Sequence, residues 1–112
     1  MNVLYKKMTE TTLDDLVKGA STTHLAVENR DINHLSTIDV NQLLKADSQL
    51  ETPLHYAVSN NDREICKLII ERAPTIINMK DIDGFTAYDI AQLYVDEYNL
   101  STELVNYLKS VQ

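Results

Sequence analysis

Three histidines, one cysteine and six tyrosines are the side chains of this chain best suited to chemistry. Imidazoles transfer protons or bind metal, a thiol attacks carbonyls, and phenols recognise partners. His34 has no second ligand at an i+4 spacing on its own predicted helix, so it reads as a surface or half-buried polar residue beside Leu35. Cys66 stands alone, which excludes an internal disulfide and a cysteine-based zinc site and suits a reducing compartment. No nucleophile has a recognisable base and orienting group arranged around it. Asp83-Gly84, between the apolar Ile82 and Phe85, has the composition of a tight turn. Tyr56, Tyr88, Tyr94, Tyr98 and Tyr107 admit two readings, an aromatic recognition patch or packing at a core edge.

The elements that position these groups are bounded by 112 residues, 44% of them apolar and 24% charged. That is enough for one small globular domain, but it leaves little room for a deep enclosed active site. Two glycines exclude the glycine-rich cradles that bring a backbone against phosphates. Ten cationic side chains against 17 carboxylates give a formal charge of −7, which repels nucleic acid and could attract a basic protein surface. No stretch approaches the length of a membrane span, and the opening Met1–Met8 is too short in apolar run for a secretory signal, so a soluble protein is expected. Seven lysines against three arginines, with nine each of isoleucine and asparagine, point to an AT-rich genome.

The chain repeats itself. Ser21–Asp31 aligns without gaps on Thr52–Asp62 at an offset of 31, with identity at His24/His55, Ala26/Ala57, Val27/Val58, Asn29/Asn60 and Asp31/Asp62. Asp47, Thr52 and Ala57 recur as Asp81, Thr86 and Ala91 at an offset of 34. Such periods mark stacked helical units that cannot bury their apolar faces alone. Thr52 and Pro53 supply an N-cap oxygen and a pre-set first helical φ, so a helix is predicted from there, with Leu54, Ala57 and Val58 on one face. Ser59–Asn61 stops it. Asp62 caps a second helix, Arg63 to about Arg72, with Ile65, Leu68 and Ile69 as its core stripe, and Pro74 ends it. Ala87, Ile90, Ala91 and Tyr94 define another helix through about Tyr98, after which Ser101 caps a closing helix with Leu104, Val105 and Leu108 inward. Near the amino end, Thr12 caps a short helix over Leu13–Lys18 that Gly19 terminates. No segment alternates apolar and polar residues over strand length, so the expected fold is all-α.

Asp47–Ala57 (DSQLETPLHYA) followed by Glu64–Glu71 resembles an ankyrin repeat, the Thr-Pro-Leu-His stretch being the specific part, and Asp81–Ala91 is similar to the form that opens a final repeat. The resemblance is clear from Asp47 to Ala91 and weaker from Ser21 to Asn41. It implies one all-α domain over 1–112, a stack of about three helical hairpins with degenerate terminal caps and units near 12–46, 47–80 and 81–112. Leu50 stands where the family has its turn glycine, so a distorted finger is expected before Thr52, whereas Asn61 replaces a second glycine with a residue that tolerates the left-handed region. Ala73–Asn78 is one residue longer than the usual loop, Asp39–Ala46 aligns only with a gap, and the last unit carries five extra residues that lengthen its first helix.

The resemblance also implies roles. His24 and His55 become structural hydrogen-bonding residues, and Cys66 a small buried hydrophobe. Partner binding falls to the finger tips and the exposed side of each first helix: Glu28 and Asn29, then Ser48, Gln49, Glu51, Ser59 and Asn60, then Ile82, Asp83, Phe85, Leu93 and Tyr94, with Phe85 as anchor or, alternatively, packed on the preceding finger. No cofactor, metal, nucleic acid or membrane is implied. The expected function is a non-catalytic module that binds another protein, as a cytoplasmic monomer apart from its partner. In an intracellular bacterium or a virus such a protein could be host-directed. The alternative is an immunity or inhibitor protein that occludes a basic toxin or enzyme. A small enzyme, the third reading, needs a pocket where the repeats offer a groove.

Overall fold

Thr52 opens the most regular unit. Its Oγ1 accepts the N–H of His55 while the His55 ring returns a bond to the Thr52 backbone, and Pro53 occupies the first helical turn. The computed structural model describes residues 19–112. Their elements run α1 (Thr22–Glu28), α2 (Ile32–Thr37), α3 (Val40–Leu43), α4 (Pro53–Ser59), α5 (Arg63–Arg72), a 3₁₀ turn (Pro74–Asn78), α6 (Ala87–Tyr98) and α7 (Glu103–Ser110). The helix expected at Leu13–Lys18 lies outside the described residues. Among those described there is no strand, and the fold is an all-helical repeat stack.

The same reciprocal cap recurs at Ser21/His24 and Thr86/Asp89, so three helices start by one device at the repeat spacing. Helices of seven residues do not hold alone, and here α4 packs against α1 on one side and α6 on the other. Val27, Leu54, Ala57, Val58, Ala87 and Ala91 fill the seam between first helices. Ile65, Cys66 and Ile69 of α5 lie against them, and Leu68 of the predicted stripe is half-buried. Between hairpin helices the chain reverses identically in two units. Arg30 and Asn61 take φ of 53° in each, and the following aspartates, Asp31 and Asp62, donate their N–H to Ala26 and Ala57 before capping α2 and α5.

Four features differ from the sequence reading. Ser101 does not occupy the cap of α7. Thr102 does, and the Ser101 hydroxyl accepts the N–H of Glu103 at 3.2 Å from one position earlier. The long loop after α5 is a 3₁₀ turn whose Ile76 and Ile77 are buried. The segment that resists alignment contains α3, capped by Asp39, and the shortfall lies in α2, six residues against ten in α5, where Arg72 donates to the Leu35 carbonyl at 2.9 Å.

The fourth is the finger before Thr52, which is not distorted. Leu50 takes φ +59° and Gly84 φ +86°, and the four backbone N–H bonds that close one finger have their counterparts in the other. Leu50 accepts the backbone strain because its side chain is half exposed and the surrounding bonds over-determine the turn. A non-glycine residue in this region costs about 1 kcal/mol. Leu50→Gly is therefore expected to raise unfolding free energy by about 0.5 kcal/mol, the rest being offset by glycine's larger unfolded-state entropy. A lower urea midpoint for the glycine variant would show that the turn is unstrained.

Candidate functional site

The fingers are built around two buried aspartates. Asp47 Oδ1 accepts the N–H groups of Gln49 and Glu51, both at 2.9 Å, and Asp81 Oδ1 accepts those of Asp83 and Phe85 at the same distances. Each aspartate N–H closes its finger on a carbonyl, Asp47 on Glu51 and Asp81 on Phe85. The Ile82 N–H donates to the Gln49 carbonyl at 2.9 Å and ties one finger to the next. Aspartate side chains that organise their own turn leave the intervening residues at the tips, Ser48, Gln49 and Leu50 in one finger and Ile82, Asp83 and Gly84 in the next, with Glu51 and Phe85 closing each finger behind them.

Histidines hold the fingers from behind. The Thr52 N–H donates to Nδ1 of His55 at 3.1 Å, so the hydrogen sits on Nε2 and is donated to the Phe85 carbonyl at 2.9 Å. His24 repeats this, receiving the Ser21 N–H at 3.0 Å and donating to the Glu51 carbonyl at 2.7 Å. Both rings are buried, so these imidazoles are spent on structure. The position that follows in this series is Asp89, whose carboxylate accepts the Thr86 N–H and has no hydrogen to pass on.

Of the residues expected at the site, Asn29, Ser48, Gln49, Ile82, Asp83, Phe85 and Leu93 are exposed, while Glu51, Ser59, Asn60 and Tyr94 are half-buried. Glu28 departs from the expectation: it is only 4% exposed, and Asn60 of the next unit donates to its carboxylate at 3.2 Å. It joins two units instead of facing outward. Phe85 is 44% exposed. Leu50, 51% exposed at the middle finger tip, was missed as a surface residue. The signal for its exposure is its place in the finger turn between Asp47 and Glu51.

The tyrosines divide. Tyr56 is buried, its ring 4.5 Å from that of His24 and its hydroxyl donating to Asp47 Oδ2 at 2.7 Å, so it packs and braces the finger. Tyr94 meets Tyr98 edge-on at 5.4 Å, and Tyr98 is exposed. Tyr107 is half-buried, and burial aided by Glu71 pushes its phenol up. On the side of the second helices, Arg63, Glu64, Lys67 and Tyr107 line an open groove between α5 and α7.

Cys66 is fully buried, and burial, reinforced by Asp62, pushes its thiol far above the ordinary value, so it is an inert packing residue. His34 is half-buried. Among the described residues no group of three His, Cys, Asp or Glu side chains is placed to hold a metal, and no helix is long and apolar enough to cross a membrane. Arg30 donates to Asp62 at 2.6 Å and to Glu64, and these bonds hold its guanidinium even above its usual value.

Capped hairpins at a spacing near 33, joined through fingers by buried histidines, define a helical repeat protein of the stacked-hairpin class. A family model described as Ankyrin repeats (3 copies) matches residues 2–81 and 23–111. The chain belongs to the ankyrin-repeat family. No curated protein matched it. Ankyrin repeats generally mediate protein–protein interaction and are typically non-catalytic.

Proposed function

We propose that this chain is a single ankyrin domain, with units near 12–46, 47–80 and 81–112, that binds a partner protein through its finger tips and the exposed side of its first helices, without catalysis or cofactor. The observation that carries the reading is the finger pair: each finger is held through its backbone by its own aspartate and by a histidine behind it, while Ser48, Gln49, Ile82, Asp83 and Phe85 are exposed. Pre-organised loops with exposed side chains bind at low entropic cost. Among them Phe85 is the anchor, an exposed aromatic with a polar rim. The charge of −7 favours a partner with a basic surface. The same charge supports the second reading, an inhibitor of a basic toxin or enzyme. A host-directed role rests on residue usage alone, and a monomer acting in the cytoplasm completes the proposal.

Affinity purification from the native host with mass spectrometry identifies the partner. Phe85→Ala should weaken that partner by about 2 kcal/mol, roughly thirtyfold in Kd, with the urea midpoint nearly unchanged. A partner held equally well by the variant would exclude the finger as anchor.

A further inference from the structure

Charge and exposed apolar surface are both concentrated in the third unit. Residues 81–112 hold six carboxylates against the single Lys109, a net −5 of the chain's −7. Of the six large apolar residues exposed in the described structure, four belong to this unit: Ile82, Phe85, Leu93 and Tyr98. Large apolar groups left in water beside like charges mark an interaction surface better than either feature alone.

The helix geometry orders them. On α6, Ala87, Ile90 and Ala91 are buried against the stack, and Asp89, Leu93 and Asp96, at i, i+4 and i+7, share the opposite, exposed face. Phe85, exposed just ahead of the Thr86 cap, lies on the finger that feeds this helix and also carries Asp83. Asp89 occupies the position held by a histidine in the two preceding units, so this face presents a carboxylate where they present a donor.

We infer that the Phe85–Leu93 stripe of the third unit, flanked by Asp83, Asp89 and Asp96, docks a cationic amphipathic segment of the partner protein, with Lys and Arg set around an apolar anchor. The inference rests on the protein-binding reading and narrows it to one unit and one partner chemistry. A second copy of the same face is disfavoured because pairing would bring these carboxylates together, and anionic lipid or nucleic acid would be repelled for the same reason. A basic segment instead pairs its charges with the rim and covers Leu93 and Phe85, which neither charge nor apolarity alone achieves.

The test is an amide-shift titration of the isotope-labelled full chain with three synthetic peptides: one with Lys and Arg around a Leu-Phe centre, one with that centre changed to Ser-Ser, and one with its cations changed to Glu. The first should move resonances between 82 and 97. The second should bind about tenfold more weakly, and the third not at all. Asp83→Lys with Asp96→Lys should weaken the first peptide about tenfold at low salt, the difference closing as salt screens it. Leu93→Ser should weaken the first peptide and leave the second unchanged. Shifts centred on Ser48–Glu51, equal affinity of the first two peptides, or variants that bind as the parent does would overturn the inference. A native partner lost on Phe85→Ala yet indifferent to Leu93→Ser and the lysine pair would also overturn it, while leaving the protein-binding reading intact. A parent chain that captures no partner protein counts against both.

Discussion

His55→Ala should lower the unfolding free energy by about 3 kcal/mol, among the largest single losses available outside the apolar core. The imidazole is 1% exposed and serves two units at once. It takes the Thr52 N–H at the start of α4 and gives a hydrogen to the Phe85 carbonyl thirty residues on. Alanine orphans the buried Thr52 N–H, removes the inter-unit bond to a Phe85 carbonyl that keeps only the Asp81 N–H, and adds a cavity, so the loss combines desolvation with missing packing. For a domain whose whole stability is about 5–15 kcal/mol, that is a substantial fraction. Asp89→Ala, at the equivalent position, should cost only about 1 kcal/mol, because Asp89 is exposed and serves the cap alone. Urea denaturation of the two variants gives the comparison, and similar midpoints would mean that the inter-unit bond contributes nothing.

Asp47→Ala is the second change with a large expected effect, also about 3 kcal/mol. Three donors lose their acceptor: the N–H groups of Gln49 and Glu51 and the hydroxyl of Tyr56, buried at 2.7 Å from Oδ2. Asp81→Ala should cost about 1 kcal/mol less, since its finger has the same two N–H bonds with no tyrosine behind it. Tyr56→Phe removes the stranded hydroxyl, so the double variant Asp47→Ala/Tyr56→Phe should be more stable than the sum of the singles predicts, by at least about 0.5 kcal/mol. Strict additivity in the thermodynamic cycle would show that the hydroxyl is solvated independently of Asp47.

Local signals in this chain were legible where the physics is local. Thr52-Pro53 and Asp62 start helices because their side chains reach backbone groups within one turn, and the sequence alone placed both. The extension of α6 through Tyr98 followed from counting residues between aligned positions. Failures share a different cause. Glu28 has the composition of a surface residue and is buried where Asn60, 32 positions away, meets it across the seam. Leu50 has the wrong intrinsic preference for its turn, and the bonds to Asp47 with their link to Ile82 override it. The candidate site divides in the same way: the finger tips were visible by position, whereas the clustering of exposed apolar residues on the third unit needed the burial of their neighbours to be known.

The histidine bonds run one way. Each is donated toward the carboxyl end, from a first helix to the finger that follows, so the array has a grammatical direction, each of these two units handing a donor to its successor. Asp89 is a full stop in that grammar. Arrays of this kind lengthen by duplication of whole units, and a copy of residues 47–80 spliced in before Asp81 would arrive with its own donor and find a finger waiting. The same copy placed behind the third unit would meet a carboxylate where it needs a hydrogen. An aspartate codon becomes a histidine codon by one base change, so the barrier to growth at that end is small in mutational steps and large in structural consequence. Lineages of this chain that differ in length are therefore expected to differ by units added inside the array, unless position 89 has changed first.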